Sequence, residues 1–341
     1  MAIIGIERLV YAVQDLAECT RYFDDFGLST ESVDDGATVF RLPEGSRVVL
    51  HREGDARLPA SGLADSGVRE VIWGCDSQRS LDALVAGLRT DRQVDIDAEG
   101  TAHFQADGGI AMGLAVLVRG NVVFAPDPVN APLRVNRLNQ TRKWRRRCMP
   151  KTIAHVVFGV KDHAATGRFM MERLGFRLSD VMRDTGLFLR CDGSSDHHQL
   201  FLVEADATLE GFDGKPRFHH ANFGVEDIDE LMIGVNHMER KGWPKSSVGL
   251  GRHRLSSGLF CYLPCPAGGQ AEYGTDFDAL DDNWIPRIYE IKFSFSIWLS
   301  VLPPFLLEEP EWDWCFHPDY VPGAASGTTR KMAKPYPEEV I

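Results

Sequence analysis

Two histidines and one glutamate have the residue types of a metal site: His155, His220 and Glu272, separated by 65 and 52 residues. Each lies in a segment whose apolar pattern predicts a β-strand. Two neutral imidazoles and one carboxylate on one face, with the remaining coordination positions open, suit non-heme Fe(II) and oxygen chemistry. We therefore predict a mononuclear Fe(II) site, with Mn(II) as the alternative ion because geometry and availability select among divalent metals.

An internal duplication gives these residues a structural context. Residues 6–29 match residues 153–179 in pattern: alternating apolar residues, an Asp that favours a helix start, a helical stretch, and a Gly that favours its end. Residues 68–88 match 218–238, and residues 108–113 match 268–274. Repeats of this size predict two similar domains built from βαβββ-like units.

The duplication also compares the ligand positions of the two halves. The aligned residues differ in type: Arg8, Glu70 and Met112 stand against His155, His220 and Glu272. Packing requirements alone do not explain this difference, since the surrounding patterns are alike. The sequence therefore predicts a metal site in the second half and a non-metal partner domain in the first.

Composition limits the class of protein and of partner. The chain has 341 residues and a net charge of −12, which argues against nucleic acid as the main partner. Its seven cysteines are scattered and odd in number, which disfavours a disulfide framework. The start of the chain lacks signal-peptide features, and the apolar stretch 295–307 is too short to span a bilayer. We expect a cytoplasmic protein with no membrane partner.

Prolines and the basic run RKWRRR (142–147) interrupt the repeats near residues 120–150. We predict a first domain at 1–135, a linker at 136–150, a catalytic domain at 151–285 and an extension at 286–341. The basic run is interpreted as a solvated linker or interface edge, with an anion contact as the alternative. The extension is expected to form a lid or an oligomer contact.

Three segments carry a family resemblance: IAHVVFGVKD, FHHANFGV and PAGGQAEYG resemble the metal-ligand strands of the vicinal oxygen chelate superfamily. Within it, the match is to two-domain extradiol catechol dioxygenases of the 2,3-dihydroxybiphenyl and homoprotocatechuate type. It covers roughly residues 1–280. The resemblance implies an α+β fold of two tandem domains, each made of paired βαβββ modules that form a curved mixed sheet around a cleft. It also places His155, His220 and Glu272 on the family's iron ligands.

The same resemblance implies three catalytic positions. HHQLFL places His198 at the family's second-sphere histidine, LGRH places His253 at its substrate-side histidine, and Tyr262 falls at its substrate-contacting tyrosine. Imidazole serves as base and acid near neutral pH, so His198 is the expected proton carrier. Tyr262 and His253 are expected to donate hydrogen bonds to substrate oxygen. The implied activity is meta cleavage of a catechol-type aromatic by insertion of both atoms of O₂, in aromatic hydrocarbon catabolism, by a homo-oligomer.

The sequence departs from this pattern at two places. Leu255 stands where many such enzymes carry a polar residue, often Asn, with Ser256 or Ser257 as stand-ins, which suggests a substrate other than a simple dihydroxybiphenyl. Beyond residue 285 no counterpart is found. Aromatic residues concentrate in this region, and they predict either a lid over a hydrophobic substrate or ordinary packing: Trp284, Trp298, Phe305, Trp312, Trp314 and Phe316.

Two other functional classes fit the same scaffold. A glyoxalase-like metal lyase or isomerase would draw ligands from both halves or use a further carboxylate. A metal-free small-molecule binding protein would not need all three ligands. A hydroquinone-cleaving or non-catechol relative is the alternative nearest to the extradiol hypothesis.

Overall fold

The computed structural model describes residues 2–64, 66–209 and 211–318. Within these ranges the first half forms an eight-stranded mixed sheet in the order β2-β3-β4-β1-β5-β8-β7-β6. Its strands are β1 (Ile3–Val13), β2 (Ser29–Val33), β3 (Ala37–Arg41), β4 (Arg47–Arg52), β5 (Gly67–Cys75), β6 (Asp95–Ile96), β7 (Ala102–Gln105) and β8 (Ala111–Val116). Helices α1 (Leu16–Phe26) and α2 (Gln78–Leu88) connect β1 to β2 and β5 to β6.

The second half forms an eleven-stranded sheet in the described residues, in the order β18-β14-β15-β16-β13-β9-β12-β11-β10-β17-β19. Its strands are β9 (Thr152–Val160), β10 (Arg177–Met182), β11 (Gly186–Arg190), β12 (Leu200–Glu204), β13 (Arg217–Gly224), β14 (Gly251–Arg252), β15 (Leu259–Pro264), β16 (Gln270–Thr275), β17 (Arg287–Tyr289), β18 (Trp298–Leu299) and β19 (Trp314–Phe316). Helices α3 (His163–Leu174) and α4 (Ile228–Arg240) follow β9 and β13. Helix α5 (Ile291–Phe295) and the 3-10 helix Pro304–Leu306 lie in the extension.

Each sheet is built on two βαβββ modules joined side by side, and in the second sheet β17, β18 and β19 of the extension are added to them. In the first sheet β1 pairs antiparallel with β5, and each pairs in parallel with the last strand of its own module, β4 or β8. In the second sheet β9 and β13 repeat this arrangement with β12 and β16. The expected α+β architecture of tandem paired modules is confirmed. The domain boundaries at 135, 150 and 285 stay a prediction.

Local capping explains where the helices begin and end. The carboxylates of Asp15, Asp162 and Asp227 each accept a hydrogen bond from the backbone three residues on, at the N-terminus of α1, α3 and α4. Gly27 and Gly175 end α1 and α3 with φ of 108° and 74°, a conformation that a side chain disfavours. Among these residues, the repeat pattern predicted helix limits from Asp15, Asp162, Gly27 and Gly175.

Aromatic contacts join the two halves. Tyr273 of β16 stacks on Phe26 of α1 with ring centroids 4.0 Å apart, and its hydroxyl donates to the Phe26 carbonyl at 2.6 Å. Trp73 of β5 meets Phe176 edge-on at 4.9 Å. These residues belong to one buried hydrophobic cluster that contains side chains from both sheets. The first half is therefore a packing partner of the second.

The basic run of the linker contacts acidic residues of the same chain. Lys143 and Arg145 bind the Glu226 carboxylate at 2.5 and 2.8 Å, and Arg142 binds Asp229. These acidic residues surround the N-terminus of α4, where negative charge is favourable. The run therefore pairs with carboxylates of the same chain, which accounts for it without an external anion. Among the described residues no helix has the length and apolar character needed to cross a bilayer.

Candidate metal centre

Three neighbouring strands bring the candidate ligands together. His155 lies on β9, His220 on β13 and Glu272 on β16, and one ligand atom from each lies within 4.8 Å of the others. The Nε2 atoms of the two histidines are 3.2 Å apart, and Oε2 of Glu272 is 3.2 Å from His155 Nε2 and 3.3 Å from His220 Nε2. All three residues are buried, Glu272 completely.

The chemistry of this donor set fits a divalent cation. Within the described part of the chain, neither carboxylate oxygen of Glu272 receives a hydrogen bond. A buried carboxylate without a partner is costly, so a compensating positive charge is required. The neighbouring imidazole does not readily supply it, because burial first, and the nearby histidines second, lower the pKa of His220 well below its ordinary value. Neutral imidazoles and one carboxylate are ligands of iron, manganese and zinc.

A second histidine supports the candidate ligand His220. The Nδ1 atoms of His219 and His220 lie 2.7 Å apart. A metal at His220 Nε2 needs the lone pair of that nitrogen, so the ring proton resides on Nδ1 and is donated to His219. Phe212 stacks on His219 with centroids 4.8 Å apart and fixes its ring. No role was predicted for His219 from the sequence, where the adjacent histidine pair in FHHANFG was the available signal.

His198 lies in the loop before β12, against the metal ligands. Its ring stacks on that of His155 with centroids 4.2 Å apart, and Phe188 meets it edge-on at 5.1 Å. Burial, and then the neighbouring imidazoles, lower the pKa of His198 well below its ordinary value, so the ring is neutral near pH 7. Its Nδ1 lies 3.0 Å from His197 Nδ1, which leaves Nε2 for a bound molecule.

His253 and Tyr262 form one hydrogen-bonded unit beside the ligands. The carbonyl of Phe295 lies 2.7 Å from His253 Nδ1, which must therefore carry the proton and donate it. His253 Nε2 then accepts from the Tyr262 hydroxyl at 3.1 Å. Tyr262 also meets His220 edge-on at 4.9 Å. Tyr262 was expected to donate a hydrogen bond to a substrate oxygen. In this arrangement its proton is engaged by His253, and its oxygen is left to accept.

His155, His198, His219, His220, His253 and Tyr262 line one cavity. The rest of its wall is mainly apolar, and its polar members are Ser247, Ser256, Gln270 and Ser294. Leu255 lies in this wall, and the extension contributes Phe295 and Phe305. The other apolar lining residues are Val157, Met182, Phe188, Phe201, Leu209, Phe212 and Val248. No lysine or arginine lines the cavity in the described ranges. Of the aromatic group in which a lid was anticipated, Phe305 reaches the cavity, whereas Trp312 and Trp314 pack on Phe293 and Tyr289.

Two of the three strands that carry this site, β9 and β13, lie in a segment that matches a known family. Residues 152–260 match the Glyoxalase/Bleomycin resistance protein/Dioxygenase superfamily. These residues form a domain of that superfamily.

Three similar proteins extend the comparison beyond the superfamily domain. The chain is 26% identical over 337 residues to "Metapyrocatechase 2" of Cupriavidus necator, covering 91% of this chain and 93% of the relative. It is 29% identical over 147 residues to "Iron-dependent extradiol dioxygenase" of Rhodococcus jostii strain RHA1, covering 40% and 47%. The solved Mn(II)-bound glyoxalase from Novosphingobium aromaticivorans shares the fold, with a TM-score of 0.69, 21% identity, and coverage of 92% of this chain and 97% of that one.

In the first sheet, the positions equivalent to the candidate metal ligands carry residues other than a His-His-Glu set. Strand pairing aligns His155, Asn222 and Glu272 across the second sheet, and Arg8, Ile72 and Gly113 across the first sheet. The counterpart of Glu272 is therefore Gly113, one residue beyond the Met112 indicated by the sequence repeat. Glu70, the counterpart of His220, lies 2.7 Å from His103, which lies 3.1 Å from Asp97. In the first half, Glu70 is therefore paired with a histidine of the same sheet.

Proposed function

We propose that the chain is an extradiol dioxygenase that cleaves the ring of a catechol-type aromatic and inserts both atoms of O₂. The proposal rests on two features that occur together. One is a buried His-His-Glu set whose carboxylate has no hydrogen-bond partner. The other is a neutral histidine at the cavity wall, His198, whose ring stacks on that of His155. The names of the two relatives, metapyrocatechase and iron-dependent extradiol dioxygenase, support this chemistry.

His155, His220 and Glu272 would hold the metal, which we propose to be Fe(II), with Mn(II) as the second candidate. When bound, such an ion supplies positive charge that favours deprotonated catechol oxygens and gives dioxygen a redox partner. The single carboxylate leaves net positive charge at the site, which attracts an anionic chelating substrate. His219 keeps the lone pair of His220 Nε2 directed to the ligand position by accepting the Nδ1 proton.

His198 moves protons in this proposal. Its Nε2 accepts a proton from a catechol hydroxyl as the substrate binds, because the neutral ring presents an unshared pair there. The same Nε2–H later returns the proton to a product oxygen, so no external acid is needed. Phe188 and the ring of His155 restrict the His198 ring to one orientation.

Tyr262 and His253 orient the substrate. Because the Tyr262 proton is engaged by His253, the Tyr262 oxygen is free to accept from the second catechol hydroxyl. The Phe295 carbonyl fixes the His253 ring from behind. Tyr262 keeps its proton near neutral pH, because burial, followed by the charge of Glu272, raises its pKa well above the ordinary value.

The apolar wall selects the substituent on the ring. A carboxylate carried by the substrate would be buried among Phe201, Leu209, Val248 and similar residues without a cation to pair it. The nearby arginines are engaged elsewhere: Arg252 binds Asp276 at 2.9 Å, and Arg254 lies over the Phe293 ring at 4.1 Å. We propose that catechols with uncharged, apolar substituents are the substrates.

We further propose that the enzyme is a cytoplasmic homo-oligomer. All seven cysteines are free, which accords with a reducing compartment. The linker exposes large apolar side chains, among them Trp144 at 91% and Leu138 at 74%, and such surfaces are typical of subunit contacts. Light scattering of the purified protein should give a mass that is a multiple of 38.0 kDa; a monomer at micromolar concentration would contradict the oligomer. Fractionation of the native host should place the protein with cytoplasmic markers.

The decisive experiment is anaerobic reconstitution with Fe(II), followed by O₂ uptake with alkyl-, aryl- and carboxy-substituted catechols. We expect uptake to accompany ring-opened product, and kcat/KM for a methylcatechol to exceed that for its carboxylated analogue at least about tenfold. Metal binding without uptake for any catechol would overturn the dioxygenase assignment. Isomerisation of a thiol adduct of an α-ketoaldehyde instead would favour the glyoxalase-like alternative.

A further inference from the structure

We propose that Asp180 and His197 are positioning residues that set the tautomer of His198, and that the backbone amide of Arg287, in the extension, completes this device. Its catalytic consequence rests on the proposed function. The tautomer itself does not, because it follows from hydrogen bonds within the protein.

Three side chains form a continuous buried chain behind the cavity. Asp180 of β10 and His197 are each 1% exposed. Oδ2 of Asp180 lies 2.8 Å from His197 Nε2, and His197 Nδ1 lies 3.0 Å from His198 Nδ1. Phe188 and Trp284 meet the His197 ring edge-on at 5.9 and 6.2 Å, which restricts its rotation. The chain therefore ends on the ring that faces the metal ligands.

The donor and acceptor roles along these hydrogen bonds follow from Asp180, the member of the series farthest from the cavity. A carboxylate only accepts, so His197 Nε2 carries a proton and donates it to Asp180. In a neutral His197 the other nitrogen, Nδ1, then has an unshared pair and accepts. His198 Nδ1 must therefore donate, which leaves His198 Nε2 unprotonated. Asp180 thus determines, across an intervening ring, that the nitrogen facing the cavity is a base.

The extension holds the carboxylate in this role. The backbone N–H of Arg287 donates to Asp180 Oδ1 at 2.6 Å, and β17 pairs in parallel with β10 beside it. Burial raises the pKa of Asp180, but the hydrogen bonds from His197 and from Arg287 oppose that rise by favouring the charged form. Each carboxylate oxygen of Asp180 therefore accepts from its own donor. The backbone N–H of Arg287 is itself a donor, so the atom of residue 180 that faces it must be an oxygen.

This last point makes Asp180→Asn a sharp test. The amide oxygen of an asparagine must turn to Arg287 N–H, because its NH₂ group would meet another donor there. The NH₂ group then donates to His197 Nε2 and moves the His197 proton to Nδ1. His198 Nδ1 becomes the acceptor, and its proton appears on Nε2. The shape of the site is preserved while the cavity-facing nitrogen loses its unshared pair.

The experiment uses nitrogen NMR of the metal-free, histidine-labelled protein, with His198→Gln for assignment, together with kinetics of the Fe(II)-loaded enzyme. We expect Nδ1–H in the wild type and Nε2–H in Asp180→Asn. We also expect kcat to fall about 10²- to 10⁴-fold in this variant, by analogy with the aspartate-to-asparagine change of a serine protease, with metal content and KM little changed. The matched control is Asp192→Asn. Asp192 is an exposed carboxylate that binds Arg177, which lies on β10 together with Asp180, and this change should alter neither the His198 tautomer nor kcat.

The outcomes separate the two proposals. A wild-type His198 that carries its proton on Nε2 overturns the inference, whether or not any variant folds. An unchanged kcat in Asp180→Asn also overturns the positioning role. If the wild type shows no O₂ uptake, the proposed function fails, while the NMR comparison still decides the tautomer.

Discussion

The ring of His198 lies nearly parallel to that of His155, with centroids 4.2 Å apart and planes 29° apart. Replacing His198 by Phe keeps this stack but removes both ring nitrogens. We therefore expect Fe(II) to bind normally while kcat falls by about two to four orders of magnitude, as for the loss of an acid–base group. Metal analysis and O₂ uptake measure the two quantities separately.

A matched control for this change is His237→Phe, since His237 is a partly exposed histidine on α4 outside the cavity. Its kcat should stay within about twofold of the wild type, in line with a surface substitution. A His198→Phe enzyme with full turnover would remove this residue from the mechanism.

The stability of the protein should report on Glu272. In Glu272→Gln a neutral amide replaces a buried carboxylate without a hydrogen bond, so the metal-free variant should be more stable than the metal-free wild type. Adding Fe(II) or Mn(II) at about 100 times Kd should stabilise the wild type by about 2.7 kcal/mol and the variant far less. The order of the two melting temperatures should therefore reverse on adding metal.

Differential scanning fluorimetry under anaerobic conditions tests this reversal. Gln270→Glu, which adds a carboxylate at the cavity wall, controls for a general effect of charge on metal affinity. Equal stabilisation of the wild type and of Glu272→Gln by metal would show that Glu272 is not a ligand.

The His103 cluster of the first sheet should make stability pH-dependent. The hydrogen bond to Glu70, and the charges of Glu70 and Asp97, raise the pKa of His103 to about 9. Because this pKa is above the unfolded value of about 6.5, the stabilisation is fully present below about pH 6.5 and is lost as pH rises through 9. His103→Gln should therefore be less stable than the wild type at pH 6, and the gap should narrow by pH 10.

Urea unfolding of both metal-free proteins at pH 6, 8 and 10 measures the gap. A difference between wild type and variant that stays constant with pH would show that His103 does not titrate with folding.

Phe305 should set the size of accepted substrates. It reaches the cavity from the 3-10 helix of the extension and meets Phe295 edge-on at 5.4 Å. Phe305→Ala should raise kcat/KM for bicyclic relative to monocyclic catechols by about tenfold, since pocket contacts of this size are worth about 1–3 kcal/mol. Leu307→Ala, in the same segment but exposed, should leave the ratio unchanged. An equal ratio in both variants would place the size limit elsewhere.

The sequence predicted the features that depend on local or repeated signals. Asp15 and Asp162 begin helices because their carboxylates bind nearby backbone amides. The approach of His155 to Glu272 could be anticipated because the two halves share a pattern whose ligand residues differ.

Features that depend on strand register and distant pairing could not be predicted. The repeat placed Met112 opposite Glu272, whereas strand pairing selects Gly113. The two turns have equal length, 106–110 and 265–269, but the Gly-Gly pair that anchored the comparison lies one residue earlier in the first turn. The contact of Arg287 with Asp180 joins residues 107 positions apart in a segment without a repeat. His197 and His219 were assigned no role, because neighbouring residues of a strand normally face opposite sides. In the structure each ring instead approaches the histidine that follows it in the sequence, through the Nδ1 atoms of the two rings.

The extension supplies the outermost strands at both ends of the eleven-stranded sheet, β18 beside β14 and β19 beyond β17. These strands are only two and three residues long. A long exposed edge offers unpaired backbone groups to other chains, and very short edge strands are one way in which proteins prevent such aggregation. Until the extension has been synthesised, β10 and β14 lack these covering strands. The nascent chain is thus most exposed to self-association just before the segment that completes its active site emerges.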